Sequence, residues 1–358
     1  MHGEPSDRNG NKGLAKITKL IKILYENEII CKGCTHNKIH HLSSKRGRKY
    51  APDILFDLYQ CQNCELVFIY PQPNSDSLKA YYPKSYLPHN PPQKSKVFSS
   101  NRLAPALRRW IFSGSNTGDK VVRHIFRRFL ANLYNRLSYR SLPISRWQGC
   151  LLDVGSGVGS YLSLVKGLGW EAFGVEPSVP AAQYARSNYG VRIESASFEE
   201  VTYPEKSFDV ITMWHSLEHF RDPKSILDKT KVLLKPGGML MLGLPNHSSL
   251  DRRFFEDFWN GYEIPLHLYH FSPKSIQAML GRAGFECQTI VHTIRPQDAV
   301  KSMQAFLEKR LKFQIKGLTN MFLFLPAFFL SFISVLLKRS SIIKIAAIKT
   351  GEGPPQSA

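Results

Sequence analysis

Acidic residues are in short supply in this chain. Its 358 residues carry 28 Asp and Glu against 48 Lys and Arg, a formal charge of +20 at pH 7. Cysteine is scarce as well. Six in a chain this long, four of them in two close pairs, do not make the disulfide framework of a small secreted domain. Apolar runs are too few for a polytopic membrane protein, and no internal repeat is found. An apolar fraction of 43% with 21% charged residues excludes collagen and wholesale disorder. Residues 1–30 lack a signal-peptide pattern, so the expectation is a reducing, cytoplasmic compartment. The length suits two domains, or one large domain with appended modules.

The excess positive charge is unevenly spread. Residues 1–150 hold a net +16, residues 151–300 a net −3 and residues 301–358 a net +7. A slightly acidic middle between two basic ends fits a catalytic core whose appendages meet something anionic, either nucleic acid or a lipid surface. The boundaries follow the same divisions. Residues 1–30 are a basic segment, with Leu14–Ile30 reading as a short amphipathic helix or a strand. Residues 31–87 bracket the cysteine pairs, and 88–148 form a basic helical connector with helical spacing in Val121–Leu137. Residues 149–300 are the core, 301–340 a basic and then apolar segment, and 341–358 a last strand and tail.

In the core, short apolar runs alternate with helical patterns, which predicts α/β architecture with a mostly parallel sheet. Strands are expected at Cys150–Val154, Ala172–Val175, Val191–Ile193, Phe208–Met213, Met239–Leu244, Phe285–Ile294 and Ile342–Ile348. A helix capped by Ser272 should end at Gly284.

The run Leu151-Leu152-Asp153-Val154-Gly155-Ser156-Gly157-Val158-Gly159 is a buried strand followed by a glycine turn that opens a helix. Such a turn lets backbone approach a ligand at the strand's carboxyl end. Glu176 closes the next strand, at the distance where an acid can hold two ribose hydroxyls. The spacing is G-x-G-x-G, with Ser160 where the last glycine of the dinucleotide fingerprint would stand.

These motifs, together with FGVEPS, SFDVITMWHSLEHFRDP, LLKPGGML and LPN, closely resemble those of class I S-adenosylmethionine-dependent methyltransferases. The resemblance covers residues 150–295. It implies a Rossmann-like sheet with an antiparallel last strand. It also implies that Asp153 orders the glycine loop, that Gly155, Gly157 and Gly159 line the methionine moiety, and that Glu176 binds the ribose. Where many relatives place an Asp against adenine, this chain reads Ser195-Ala196-Ser197-Phe198, so adenine recognition falls to backbone and Phe198.

Cys31-x-x-Cys34 and Cys61-x-x-Cys64 each present two thiolates from one tight turn. Two such turns facing each other make the tetrahedral four-sulfur shell that structural zinc prefers. The surrounding Cys-Gln-Asn-Cys-Glu-Leu-Val-Phe, followed by Tyr81-Tyr82, resembles the zinc-ribbon segment preceding the methyltransferase domain in one subgroup of the family. That subgroup commonly acts in sugar, lipopolysaccharide and other glycan biosynthesis.

His215, Glu218 and His219 follow the fourth core strand, and His267 and His270 lie in Ile264–Phe271, similar to a substrate-side loop of the same subgroup. Methyl transfer to oxygen calls for a base near the attacking hydroxyl. His219 is the first candidate and His267 the second; packing of Glu218-His219 against the cofactor is the competing role. His215 and His270 read as structural. His-x-x-Glu-His also matches an inverted zinc-protease motif, but here it follows a strand and supplies no third ligand, so that reading is discounted.

Gly317–Leu337 is an uncharged run of 21 residues, long enough as one helix to cross a bilayer core. A returning last strand would keep both its ends on one side, and Pro326 should break it. The expectation is therefore an in-plane or bent insertion at the cytoplasmic leaflet, helped by flanking Lys and Arg. A buried helix is the other reading.

The sequence thus points to a membrane-associated enzyme that methylates an oxygen of a saccharide or lipid-linked saccharide; against nucleic-acid chemistry, the Met-Trp-His-Ser end of the fourth strand lacks the Asn/Asp-Pro-Pro-aromatic motif of base-amine methyltransferases. RNA methylation through the zinc ribbon and basic flanks is the alternative, and a non-catalytic membrane scaffold a third.

Overall fold

A computed structural model describes residues 29–47, 50–82, 110–112, 121–138, 140–143, 149–311 and 319–351. Apart from Ile29 and Ile30, the expected helix or strand at Leu14–Ile30 lies outside the described residues, as does much of the connector before Val121.

The N-terminal module is an antiparallel meander of β1 (Ile39–Gly47), β2 (Ala51–Cys61) and β3 (Val67–Ile69). Its two cysteine pairs sit on matching turns. Thr35 N–H donates to the Cys31 carbonyl at 2.8 Å and Glu65 N–H to the Cys61 carbonyl at 2.9 Å, and each turn ends in a left-handed residue, Thr35 at φ 62° and Glu65 at φ 64°. Helix α1 (Ser75–Tyr81) follows, with the Asn74 side chain accepting from Ser77 N–H. Helix α2 (Val121–Leu137) is the expected connector helix, joined to the core by reciprocal 2.8 Å bonds between Asn135 and the Leu142 backbone.

The core then alternates strand and helix: β4 (Cys150–Val154), α3 (Ser160–Gly167), β5 (Glu171–Val175), α4 (Val179–Tyr189), β6 (Arg192–Glu194), β7 (Phe208–Trp214), α5 (Pro223–Leu233) and β8 (Leu234–Pro245). Local chemistry starts these helices. Ser178 caps α4 by accepting from Ala181 N–H, and Asp222 caps α5 by accepting from Ser225 N–H with Pro223 in the first turn. After the short α6 (Leu250–Phe255) and β9 (Tyr269–His270), the Ser272–Ser275 capping box opens α7 (Pro273–Arg282) as expected. The chain closes with β10 (Phe285–His292), α8 (Pro296–Leu311), α9 (Thr319–Leu336) and β11 (Ile342–Lys349).

Seven strands form one sheet in the order β10-β11-β8-β7-β4-β5-β6. Neighbours from β8 to β6 run parallel, while β11 is antiparallel to both β8 and β10. Both faces are covered. Leu152, Val154, Ile211 and Met213 pack on one side, and Leu151, Val210 and Trp214 on the other, as continuous apolar strands require. The strand order reverses at β4 and β7, the place where open parallel sheets bind ligands. A second sheet, β1-β2-β3-β9, takes its last strand from the core, Val67 pairing with His270 and Phe68 with Tyr269.

Two expectations are corrected here. Strand β8 begins at Leu234 rather than Met239, running through Lys235-Pro236-Gly237-Gly238 with a register shift opposite Phe208–Val210. Helix α9 continues through Pro326 instead of breaking there. Leu323 and Ala327, on either side of the proline, pack with Leu330 against Ala299, Val300 and Met303 of α8, which holds the helix together despite the lost backbone bond. At 18 residues α9 is about 27 Å long, and no helix among the described residues is long and apolar enough to cross a membrane.

Candidate active site

The glycine turn after β4 is shaped by backbone that only glycine adopts easily. Gly155, Gly157 and Gly159 have φ of 76°, 56° and 75°. A Cβ on Gly155 would stand 2.8 Å from Ser216 Cβ, so the loop lies tight against the end of β7. Gly155 N–H and Ser156 N–H both donate to the Val175 carbonyl, at 2.9 and 3.2 Å.

Glu176 is the brace of this loop. Its Oε2 accepts from Gly157 N–H at 2.8 Å and its Oε1 from Ser178 N–H at 2.9 Å. Burial raises its carboxyl, with the two amide donors opposing. Each oxygen retains acceptor capacity, so the carboxylate still fits a pair of ribose hydroxyls. Asp153 bonds across the sheet. Its Oδ1 accepts from Thr212 Oγ1 at 2.6 Å, across to β7, and its Oδ2 has no hydrogen-bond partner among the described residues. Full burial brings this carboxyl up to about 6. Asp153 thus ties two strands together beneath the loop, and the direct hold on the loop belongs to Glu176.

A cavity of about 520 Å³ lies over these residues. Gly155, Gly157, Glu176 and Phe198 line it together with His219 and His267. Gly159 instead serves α3, where an added Cβ would meet Ala185 at 2.5 Å. Phe198 is buried to 2% exposure, with Lys229 Nζ held 2.6 Å from its carbonyl. A flat apolar surface beside a carboxylate and a side-chain-free loop suits a nucleoside carrying an amino-acid tail.

Leu217–His219 forms a single 3-10 turn. The substrate-side loop is stapled to it by Leu268 N–H donating to the Glu218 carbonyl at 2.9 Å. The His219 and His267 rings meet edge to face, 4.7 Å between centroids. Tyr82 Oη lies 3.1 Å from His219 Nδ1, and His267 Nδ1 lies 2.9 Å from the Gly261 carbonyl. Burial pushes His219 down to about 4, with His267 adding to the effect, so its imidazole is neutral rather than titrating near pH 7. Glu218 is completely buried beneath them. Burial would raise its carboxyl, but His215, 3.3 Å away, outweighs this and brings it to about 2.

Both histidines chosen from sequence therefore converge. His270 is buried in a ring cluster with Tyr262, His247 and His267, in keeping with a structural role. Sequence reasoning placed His215 among the structural residues, yet it too lines the cavity, as do Arg140, Arg295 and Lys301. Only the pairing of distant segments could have revealed them. Tyr82, noted as part of a motif, gains its place from the same folding.

The cysteines also gather as expected. Cys31 and Cys64 Sγ are 3.5 Å apart, Cys34 and Cys61 Sγ 3.4 Å, and all four lie within 4.8 Å of one another. Gly33 N–H points at Cys31 Sγ from 3.3 Å. Four sulfurs at this separation fit a tetrahedral zinc shell, whose edges are a little under 4 Å for about 2.3 Å Zn–S bonds.

Residues 122–290 match the family model of a methyltransferase domain. The match spans the parallel strands of the seven-stranded sheet described above. A "Probable S-adenosylmethionine-dependent methyltransferase" of Mycolicibacterium smegmatis is 24% identical over 160 residues, covering 44% of this chain and 57% of that protein. A ubiquinone biosynthesis O-methyltransferase of Colwellia psychrerythraea is 29% identical over 104 residues, 27% of this chain and 42% of that one. The chain thus spans about half the length of these curated relatives. A solved S-adenosylmethionine-dependent methyltransferase of Thermotoga maritima overlays on 64% of this chain and 96% of its own, at 21% identity and a TM-score of 0.42.

Proposed function

We propose that this chain is an S-adenosylmethionine-dependent methyltransferase that methylates an oxygen of a saccharide or lipid-linked saccharide at the cytoplasmic membrane face. The observation that carries the activity is one cavity lined by both the Glu176-braced loop and the His219–His267 pair. Glu176 holds the ribose, Phe198 the base, and the glycine loop lines the amino-acid tail. S-adenosylmethionine supplies an electrophilic methyl when bound. Transfer to a hydroxyl releases a proton, and the neutral His219 imidazole is in the form that accepts one. Tyr82 fixes that ring from the N-terminal module.

Oxygen as the acceptor is supported by the similarity to an O-methyltransferase, and the saccharide class by the resemblance of the cysteine module. The membrane assignment is supported by α9. The face away from α8 exposes Phe322, Leu325, Phe329, Ile333 and Leu336, followed by exposed Lys338 and Arg339. Such a surface suits insertion into an anionic leaflet along the membrane plane.

The test uses S-adenosylmethionine labelled on its methyl group, incubated with the protein and fractionated cell extract. Label in saccharide or lipid-linked saccharide, stable as an ether, is expected. Label confined to RNA overturns the acceptor class, and absence of calorimetric cofactor binding overturns the enzyme assignment.

A further inference from the structure

We infer that Glu218, His219 and His267 form a binding site for a divalent metal cation at this cavity, separate from the cysteine cluster. This deepens the reading of that cavity as a methyl-transfer site. In sequence the His-x-x-Glu-His run lacks a third ligand; the fold supplies it from the loop around His267. One ligand atom from each of the three residues lies within 4.8 Å of the other two.

Three features point to a cation rather than to simple packing. Glu218 is completely buried, and neither of its carboxylate oxygens has a hydrogen-bond partner among the described residues. His215 Nδ1 forms an ion pair with Oε1 at 3.3 Å, while Oε2 has no partner among the described residues, so much of the carboxylate's acceptor capacity is unused. A buried carboxylate in that state is costly unless it is paired or coordinates a metal. Next, both histidines have Nδ1 engaged by an outer partner, Tyr82 Oη for His219 and the Gly261 carbonyl for His267. Nε2 of each then remains for coordination, that of His267 with Glu263 Oε2 3.9 Å away, and anchoring the other ring nitrogen in this way is how ligating histidines are oriented. Finally, the loop bearing His267 is bonded to the turn bearing Glu218 through Leu268 N–H, so the ligand set is held together by backbone.

Two imidazoles and one carboxylate suit a borderline divalent ion such as Mn²⁺, Co²⁺, Fe²⁺ or Zn²⁺, whereas the four thiolates suit a soft-ligand zinc site. Ligands about 2.1 Å from an ion stand about 3 Å apart, so the three side chains draw inward on loading. His219 and His267 line the cavity while Glu218 lies behind them, so the open coordination positions face the acceptor. Two oxygens of a saccharide, such as neighbouring hydroxyls, match those positions. The base and ligand roles of His219 then belong to the ion-free and ion-loaded states of one site.

The experiment is titration of the full chain, treated with EDTA and with zinc retained at the cysteines, with Mn²⁺ alone. Free Mn²⁺ is read by electron paramagnetic resonance and the melting temperature is followed in parallel. One Mn²⁺ per chain, a raised melting temperature and at least tenfold weaker binding in Glu218→Gln and His267→Ala are expected. If Glu218→Gln does not fold, His267→Ala and the wild-type melting shift decide. No binding by wild type up to about 1 mM, or equal binding by both variants, overturns the site. Calorimetry with S-adenosylmethionine on the same samples keeps the two readings apart: absent cofactor binding with intact Mn²⁺ binding removes the methyltransferase reading and leaves the cation site standing.

Discussion

Gly157 N–H donates to Glu176 Oε2 at 2.8 Å, which makes the acid at the end of β5 a structural part of the loop that follows β4. Glu176→Ala is therefore expected to weaken S-adenosylmethionine binding by about 10- to 100-fold, since two hydrogen bonds to a charged acceptor are lost. Asp153→Asn, which leaves the loop contacts untouched, should change that affinity by a smaller factor. Calorimetric titration of both variants checks the order; a larger loss in Asp153→Asn would return the loop-ordering role to Asp153.

The cysteine module is expected to hold one zinc per chain, read by metal analysis of protein purified without oxygen. Because β3 pairs with β9, Cys61→Ser should also disturb the loop that carries His267. Turnover is expected to fall while S-adenosylmethionine affinity stays within about threefold. Full turnover in a zinc-free variant would separate the module from catalysis.

His219→Ala is expected to lower turnover by about 10² or more with unchanged cofactor affinity. Single-turnover measurement with labelled cofactor gives the chemical step directly. A wild-type rate in the variant would remove His219 from the reaction.

Lys344, on β11, is almost fully buried, with Nζ donating to the carbonyls of Asn135 and Ser138. Burial, and then Arg295, lower it from 10.5 to about 7. Its folded value lies below its unfolded one, so between these limits the unfolded chain binds more protons and stability rises with pH. Urea unfolding is expected to show a gain of about 2 kcal/mol from pH 7 to 9, and a flatter profile in Lys344→Met. An equal slope in the variant would assign the gain to other groups.

The exposed α9 face is expected to bind vesicles containing anionic lipid and to lose that binding when Phe322, Leu325 and Phe329 are all changed to Ser. Flotation of wild type and variant checks this. Equal flotation would place the contact elsewhere.

Much of the sheet was legible because its strands are continuous apolar runs ended by turn residues. β4, β7, β10 and β11 fall within one or two residues of their expected limits, and the Ser272 cap was readable from Ser and Pro alone. The misplaced start of β8 came from Lys235-Pro236-Gly237-Gly238, whose turn composition sits in a register shift between two points of pairing with β7, Leu234 to Phe208 and Met239 to Val210. Pro326 misled for a similar reason, since packing on α8 is a tertiary effect that helix propensity cannot contain. In the site, the glycines and Glu176 announced themselves by spacing. The division of labour between Asp153 and Glu176 did not, because it depends on which acid faces the loop. Tyr82 joins His219 only once the N-terminal module has docked on the core.

That docking also has a timetable. The second sheet is built from residues 39–69 and then from Tyr269–His270, so a nascent chain emerges with the module's edge at β3 unpaired. About 200 residues must be added before β9 reaches it, which at about 5–20 residues per second takes about 10–40 s. Through that interval the early strands depend on their own turns and on the gathered cysteines, and an exposed strand edge is a site for pairing with the wrong chain. Metal supply during synthesis therefore bears on the yield of correctly assembled protein, apart from any effect on the finished enzyme.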